Sequence, residues 1–383
     1  MSFIGGDGVA LTGDNEISGI SIQTSPANRA IYIDSPEVDL GTIRLEHLTV
    51  TGVVQLLTRA PNKVLSLDLS DIDIVSADAR HYPERPMKYG VNVYQGALTI
   101  YNFNPEAESR ITLHAEHIGV GREKAPVIGS GIFISGFNDT AGPVIVDKLT
   151  TTGVYSNGMI PTGQPNLITG GIFIVYGVEA NEIVSLNEVK TYGTNDMVLD
   201  VWGKVKSWVV KENVTSYGAS GIGFVNFGDV DYFKSEKTIQ TYGLGARGFN
   251  QYDGTIKDAY FEQITTVGNG SIGMQFSKPV GNITIGSGIK TLGAKGQTLV
   301  KGEIVELNAD AISVLHGGLI ETLTIDGDVV TSGDHVVSYH VNGGVVQALK
   351  LGGKLVASGN GAKPAVIEQD GSSDTTGIEG YLS

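Results

Sequence analysis

The tripeptide Thr191-Tyr192-Gly193 returns four times further along the chain, as Ser216-Tyr217-Gly218, Thr241-Tyr242-Gly243, Thr266-Val267-Gly268 and Thr291-Leu292-Gly293. Successive glycines of these triplets are 25 residues apart. Each triplet is followed within a few residues by a short apolar run that ends in glycine or a turn, the first of them at 198–203. Repetition at a fixed period of roughly 20–50 residues is the signature of repeat architectures. The repeat therefore decides the fold class.

The segments between the glycines indicate β-strands. They alternate with period two, are rich in Val, Ile, Thr, Tyr and Phe, and are bounded by Gly, Asn and Asp. A repeat of helix pairs would need about 33 residues and a 3.6-residue period. Three short strands and three turns per repeat describe one coil of a parallel β-helix. The sequence predicts an all-β protein, a single right-handed parallel β-helix (a solenoid) with about 25 residues per coil, spanning 1–383 as one domain.

Stacked coils lie about 4.8 Å apart, so equivalent residues are expected to form ladders. We expect the hydroxyls at the first triplet position, from Thr191 to Thr291, to hydrogen-bond along the axis. The apolar runs are predicted to fill the core with a second ladder, formed by Leu199, Phe224, Phe249 and Met274.

The period loosens outside this region. Three insertions in the N-terminal coils are predicted just before the apolar runs, at 79–89, 118–130 and 154–170. Towards the C-terminus, the 40-residue interval between Gly293 and Gly333 is interpreted as a full coil followed by a truncated one. Repeat proteins commonly bind through insertions that share one face.

Composition excludes several functional classes. The 383 residues include 41 acidic and 26 basic side chains, a formal net charge of −15, which argues against a nucleic-acid partner. There is no cysteine, so disulfides, thiolate metal sites and cysteine nucleophiles are excluded. No signal peptide and no apolar stretch of the roughly 18 residues that span a bilayer is visible, so no membrane association is predicted and the compartment stays open.

No cofactor and no metal site are predicted. His114 and His117 are three residues apart on a predicted strand and should face opposite sides. His335 and His340 lack a carboxylate at a useful sequence spacing. No glycine-rich phosphate loop lies between a strand and a helix, which argues against nucleotide binding.

Glycine-bounded strands such as Asn15-Glu16-Ile17-Ser18-Gly19-Ile20, together with the ladders, resemble the pectin-lyase-like β-helix superfamily over nearly the whole chain. Individual phrases also resemble uncharacterised bacterial β-helix proteins. The superfamily resemblance implies interaction with polysaccharides. The polygalacturonase-type motifs Asn-Thr-Asp, Asp-Asp and Gly-His-Gly are absent, and Leu315-His316-Gly317-Gly318 is the nearest approach to the last. The cluster of Asp68, Asp71 and Asp73 is interpreted as a solvated strand face rather than a calcium site.

The insertions carry the first candidate site. Their polar side chains are unusually basic for an acidic chain, and a cationic wall could receive an acidic ligand such as a uronate. The candidate ligand-binding residues of this wall are Arg80, His81, Glu84, Arg85, Lys88, Arg122 and Lys124.

The strand face beside the insertions carries the second candidate site. If Phe224 points inward, an exposed stripe of Trp202, Phe227 and Tyr252 would suit stacking against sugar rings. Asp200, Asn250 and Gln275 would then meet sugar hydroxyls. A one-residue slip reverses the two faces and would expose Asn226 and Gln251 instead.

Two functions are predicted as alternatives. The first is a polysaccharide-interacting protein that binds, and in a catalytic version modifies, an acidic glycan in a groove beside the three insertions. The catalytic version would use Asp200, Glu84, His81 and Arg85. The second is a non-catalytic structural or adhesive solenoid that makes protein contacts. Because a β-helix ends in unpaired strand edges, homo-oligomers are also predicted.

Overall fold

The chain folds almost entirely into β-strands. The computed structural model describes residues 1–161, 164, 166–300 and 303–382, and within them the single helix is a short 3₁₀ turn at Glu379–Tyr381. No helix in these residues is long and apolar enough to cross a membrane. The long sheets are parallel, so the prediction of an all-β protein with parallel strands is confirmed.

The chain divides into two compact units. Unit 1 consists of 1–191 and 200–208, and unit 2 of 192–199 and 209–383. Each unit is built from two parallel sheets. The prediction of one domain over the whole chain stays a prediction.

In unit 1 the first sheet consists of Val9–Leu11, Arg29–Ile33, Val53–Thr58, Gly96–Asn102, Ser130–Ser135 and Leu167–Ile174. The second sheet consists of Glu16–Ser18, Ser21–Gln23, Asp39–Thr51, Val64–Ser76, Arg110–Val120, Val127–Ile128, Val144–Asn157, Val178–Ser185 and Val189–Thr191. Two strands, Asp196–Val201 and Lys204–Val210, contain residues of both units. A hairpin pairs Met87–Lys88 with Val91–Val93.

In unit 2 the first sheet consists of Ile222–Asn226, Arg247–Gln251, Met274–Phe276, Ile312–Leu315, Val337–Asn342 and Lys363–Glu368. The second sheet consists of Val214–Ser216, Asp229–Thr241, Thr255–Thr266, Pro279–Thr291, Leu319–Ile325, Asp328–Thr331, Val345–Leu351, Leu355–Ala357 and Ser372–Ser373. A hairpin pairs Gly296–Val300 with Glu303–Leu307.

The core lies between the two sheets of each unit. In unit 2, Phe224, Phe249 and Met274 stand in register on neighbouring strands and are 0% exposed. Phe224 stacks on Phe233 of the second sheet with ring centroids 4.1 Å apart. The predicted core ladder, which also includes Leu199, is therefore buried as core filling requires.

The repeated glycine has a steric cause. A Cβ added at Gly243 would lie 1.9 Å from the carbonyl oxygen of Gly218, and one added at Gly268 would lie 2.1 Å from that of Gly243. These distances are far below van der Waals contact, so any side chain would push neighbouring strands apart. Close backbone approach therefore explains why the triplet keeps its glycine.

The predicted hydroxyl hydrogen bonds along the triplet ladder do not form. The hydroxyl oxygens of Ser216, Thr241 and Thr291 are buried and have no hydrogen-bond partner among the described residues. Thr266 donates instead to the backbone oxygen of Ser271, 2.7 Å away. Neighbouring strands lie about 4.8 Å apart, so two stacked hydroxyls meet only when their side chains turn towards each other, as those of Ser66 and Thr112 do at 2.9 Å.

The insertion boundaries need correction. Residues 118–120 continue the strand Arg110–Val120, and residues 154–157 continue Val144–Asn157. These residues stay in strands because they find partners, as Val154 does with Val189. The insertions at 118–130 and 154–170 are therefore shorter than predicted, and residues 162, 163 and 165 lie outside the described residues.

The interval between Gly293 and Gly333 was also misassigned. Thr291 pairs directly with Thr331, and Met274 pairs directly with Ile312, so no further coil intervenes. The extra residues form the antiparallel hairpin of Gly296–Val300 and Glu303–Leu307. This is a fourth insertion before an apolar strand, and it places Gln275 beside Ser313.

Candidate functional site

A row of polar side chains crosses the first sheet of unit 2. Asn250, Gln275, Ser313 and His340 stand in register on four successive strands. Each lies one residue beyond a buried residue, namely Phe249, Met274, Ile312 and Tyr339, which are in register with one another. Side chains of a strand alternate between faces. The polar row, as we call these four residues, therefore lies on the face opposite the core.

The polar row is largely shielded from solvent. Asn250 is 0% exposed, Gln275 6% and Ser313 4%. The Asn250 amide nitrogen donates to the Gln275 side-chain oxygen at 3.4 Å, while the Asn250 Oδ1 atom has no partner in the described chain. A buried amide oxygen without a donor costs about 1–3 kcal/mol. A ligand hydroxyl could supply the missing donor.

Arg247 carries an unpaired positive charge on the strand of Asn250, three residues before it. It lies two residues before Phe249. Asp310 lies two residues before Ile312, which is in register with Phe249 through Met274. Arg247 is 1% exposed, no carboxylate of the described residues pairs with it, and its Nε atom has no acceptor. Arginine is almost never fully buried unless it is paired, because an unpaired buried charge is costly.

At the other end of the row, His340 lies between two carboxylates. Its Nδ1 atom is 2.8 Å from Asp310 Oδ2, and its Nε2 atom is 3.1 Å from Glu368 Oε1. Burial by itself would lower the pKa of His340, but hydrogen bonds to Asp310 and Glu368 and their negative charges raise the pKa above its ordinary value. The expectation that His340 lacks a carboxylate partner was wrong. Asp310 lies just before a neighbouring strand and Glu368 at the end of another, 30 and 28 residues away from His340 in sequence.

Two features border the polar row. On the side of Arg247, Thr298 of the hairpin Gly296–Leu307 donates its hydroxyl to the Gly245 carbonyl oxygen at 2.7 Å. Two residues beyond Asn250, the ring of Tyr252 stacks on that of Phe227, with centroids 5.0 Å apart and planes 14° from parallel. Both rings are half-buried.

This arrangement can bind an anion and hydroxyl groups together. The planar guanidinium of Arg247 matches the fork of a carboxylate. The amide and hydroxyl side chains of the row can donate to and accept from ligand hydroxyls. His340 is a potential acid or base, because imidazole titrates near neutral pH. No group of three or more His, Asp or Glu in the described residues is arranged to hold a metal ion.

The cations predicted on the insertions are mostly neutralised by neighbours in unit 1. Arg80 pairs with Asp78 at 2.7 Å, Lys88 with Asp139 at 2.9 Å, and Arg122 with Asp73 at 2.6 Å. These pairs were invisible to the sequence argument because most of the acids come from other strands or turns. They leave the wall closer to electrical balance than its basic composition suggested.

The remaining wall residues have varied surroundings. Glu84 pairs with Arg59 at 2.5 Å, and Arg85 packs over the ring of Tyr94, 4.6 Å from its centroid. The His81 ring is exposed and 4.2 Å from that of Tyr82. Lys124 is exposed and, within the described part of the chain, forms no ion pair.

Asp200 and Trp202 are buried in unit 1, so the prediction that they belong to an exposed stripe was wrong. Trp202 is 3% exposed and contacts Phe173 and Tyr89 edge-on, with ring centroids 5.0 and 5.4 Å away. Asp200 is 0% exposed, and burial raises the pKa of its carboxyl well above the ordinary value. Hairpin Met87–Val93, which carries Tyr89, helps cover this face.

Of the predicted stripe, Phe227 and Tyr252 in unit 2 remain accessible in part, but they stack on each other and cover their shared ring faces. The reversed alternative is not exposed either, since Asn226 and Gln251 are both 0% exposed. Both faces of these strands are therefore shielded. The alternation of side chains predicts one buried and one exposed face, so it could not predict this.

His117 departs from the predicted strand alternation. Its φ of +56° interrupts the alternation, so both side chains are accessible, 43% of that of His114 and 53% of that of His117. His114 lies 3.1 Å from Asp147 and His117 lies 3.2 Å from Asp71.

The residues predicted from the sequence do not include Arg247, Ser313, Asp310 or Glu368, and His340 was considered only as a metal ligand. Ser313 and His340 can be recognised in the sequence by their alignment with Gln275, but only after the hairpin is recognised as an insertion. No protein-family model matches the chain, and comparisons with curated proteins and with solved structures return no match. The class is therefore defined by the fold and site alone: an all-β protein of parallel sheets with a shielded polar row.

Proposed function

We propose that this protein binds an acidic polysaccharide through the polar row of unit 2 and Arg247. The observation that carries the proposal is the guanidinium of Arg247, which is 1% exposed and has no carboxylate partner in the described chain. A bound carboxylate would compensate that charge, and the row would meet the hydroxyls of the same ligand. Polysaccharides that contain uronates combine both groups.

The proposed fold supports this function by placing equivalent side chains on successive coils. We propose a single right-handed parallel β-helix with about 25 residues per coil, similar to the pectin-lyase-like superfamily. The parallel pairing and the 25-residue offset between Asn226 and Gln251 support it. An elongated ligand would then meet one polar side chain about every 4.8 Å.

The groove beside 79–89, 118–130 and 154–170 is the alternative location for the glycan. It has less support, because Arg80, Lys88 and Arg122 already have acidic partners. An acidic glycan would have to compete with each of these carboxylates.

A structural or adhesive role is the second candidate function, and one surface of unit 2 favours it. Tyr217 stacks between Tyr192 and Tyr242 at 5.2 and 5.1 Å, and Tyr217 and Tyr242 remain 42% and 40% exposed. Leu292, at the same triplet position, is 40% exposed. Exposed apolar patches commonly mark protein contacts.

The test is a binding screen of the purified protein against uronate polymers and neutral polymers, with product analysis of every hit. We expect binding to uronate polymers, and we expect Arg247→Met to weaken it at least about tenfold. Because the variant removes an unpaired buried charge and keeps much of the side-chain volume, it should be no less stable than the parent.

Arg122→Met is the matched control, because it removes a cation from the wall of insertions. Loss of binding in Arg122→Met alone would move the site to the wall. If the parent protein binds none of the polymers in the screen, glycan binding is rejected and the structural role is favoured.

A further inference from the structure

A groove crosses the outward face of the second sheet of unit 1. Its volume is about 480 Å³, and its polar lining consists of Ser66, Asp68, Thr112, His114 and Asp147. These residues belong to three neighbouring strands, Val64–Ser76, Arg110–Val120 and Val144–Asn157. A groove of this size can hold a small ligand.

Two pairs of these side chains are in register. Ser66 stands beside Thr112, and Asp68 beside His114, on neighbouring strands. The hydroxyls of Ser66 and Thr112 are 2.9 Å apart, so one donates to the other and the second keeps its proton for a ligand. Residues two apart on a strand are separated by about 6.6 Å, which is close to the width of one sugar ring with its hydroxyl groups. The groove therefore has hydroxyls at one end of a ring-sized span and a carboxylate with an imidazole at the other.

A β-bulge brings Asp147 to the groove. Leu113 pairs with Val146 and His114 with Lys148, so Asp147 is the extra residue of its strand. Bulges re-aim side chains in this way. Asp147 Oδ2 lies 3.1 Å from His114 Nδ1, while 73% of the Asp147 side chain stays accessible. The bulge therefore adds a second carboxylate to the imidazole end of the groove.

The carboxylates of this surface outnumber its cations. Arg44 and Lys148 stand among the acids Glu16, Glu46, Asp68, Glu116 and Asp147. The Arg44 Nε atom donates to Asp68 Oδ2 at 3.2 Å, whereas Asp68 Oδ1 and Asp147 Oδ1 accept no hydrogen bond from any described residue. The groove therefore offers carboxylate oxygens to a cation, and its charge disfavours an acidic ligand.

We propose that the groove binds an amino sugar, with the ammonium group at the carboxylate end and the ring hydroxyls at Ser66 and Thr112. An ammonium donates three hydrogen bonds and accepts none, which matches the oxygens of Asp68 and Asp147 that lack a donor. A metal ion is a poorer occupant, because no three His, Asp or Glu of the described chain are arranged to hold one. The site lies wholly in unit 1 and does not depend on the function proposed for the polar row.

The experiment is a titration of the full-length protein at about pH 7 with three ligands, followed by nuclear magnetic resonance of the ligand. Glucosamine has both the ring and the ammonium, N-acetylglucosamine has the ring without the charge, and propylamine has the charge without the ring. We expect glucosamine to bind at least about tenfold more tightly than either of the others.

Asp68→Asn and Asp147→Asn should each weaken glucosamine binding about threefold, and the double variant about tenfold. Asp231→Asn is the matched control, because it removes the same charge from an exposed ion pair in unit 2 and should leave the affinity unchanged. Arg247→Met should bind glucosamine as the parent does, so this test is separate from that of the polar row.

Equal affinity for glucosamine and N-acetylglucosamine would show that the ammonium is not recognised, and equal affinity for propylamine would show that the ring is not recognised. Either result would overturn the amino-sugar assignment. Undiminished binding by the double variant, equal weakening by Asp231→Asn, or no binding of glucosamine to the parent would overturn the groove as the site.

Discussion

At the scale of single residues, Arg247 and two members of the polar row have unusual hydrogen-bond or charge partners. Arg247 is buried without an acid, and Asn250 has an amide oxygen without a donor. His340 is the opposite case, since both of its ring nitrogens contact carboxylates. A buried arginine without an acid and a histidine between two carboxylates are more typical of a binding site than of a structural core.

His340 makes the stability of the fold depend on pH. Its pKa is raised in the folded protein above the value of about 6.5 expected in the unfolded chain. The stabilisation is therefore fully present below about pH 6.5 and is lost as pH rises through the folded pKa. Comparison of the parent with His340→Gln should show a larger difference in unfolding free energy at about pH 5.5 than at about pH 9, measured by urea denaturation.

Glu368→Gln is the companion variant, since it removes one of the two carboxylates and leaves Asp310. It should reduce the pH dependence attributed to His340 without abolishing it. If the difference in unfolding free energy between the parent and His340→Gln stays constant across this pH range, His340 is not the source of the pH dependence.

At the scale of elements, the strands are held by backbone pairing and core ladders rather than by the hydroxyls of the triplets. Tyr192, Tyr217 and Tyr242 stack outside, while Ser216, Thr241 and Thr291 are buried and their hydroxyl oxygens have no partner among the described residues. The repeat of the hydroxyl residue therefore reflects its shape and strand preference more than a hydrogen-bond chain.

Thr241→Val should stabilise the protein by about 1 kcal/mol, because it replaces a buried hydroxyl without a partner by an isosteric methyl group. Thr266→Val is the matched control at the same triplet position. It should destabilise the protein by about 1 kcal/mol, because Thr266 donates to the Ser271 carbonyl oxygen. Chemical denaturation of both variants measures the effect, and equal shifts of the same sign would refute the assignment.

At the scale of the whole molecule, unpaired strand edges remain a liability. The first sheet of unit 1 begins with the short strand Val9–Leu11, and that of unit 2 ends with Lys363–Glu368, which is covered in part by a bridge between Ala365 and Leu382. A parallel sheet offers unpaired backbone groups at its outermost strand, and native proteins shorten, charge or cover such strands. Both strands are short, and the last one begins with lysine and ends with glutamate.

We predict homo-oligomers that cover these edges or the exposed tyrosine stack. Light scattering at increasing protein concentration should give a mass above that of the 40.3 kDa monomer. If Tyr217 lies in the contact, Tyr217→Glu should return the mass to that of the monomer, whereas the exposed residue Lys124 offers a neutral control as Lys124→Gln. A monomeric mass at every concentration would refute oligomerisation.

The sequence by itself determined the strand class, the repeated triplet and the buried ladder of Phe224, Phe249 and Met274. These features follow from local rules: alternation of side chains, turn chemistry, and a glycine where two backbones approach closely. The wall of insertions was also visible, because basic residues in an acidic chain stand out without any structure.

Only the tertiary structure decided which side chains meet. Most of the acids that neutralise the wall, and the carboxylates around His340, come from segments that are distant in sequence. Reading the 40 residues after Gly293 as an extra coil shifts every later position, whereas the hairpin aligns Gln275 with Ser313 and His340. Local preferences fix the strands, but side-chain partners depend on a register that each insertion resets, and only the packed sheets reveal that register.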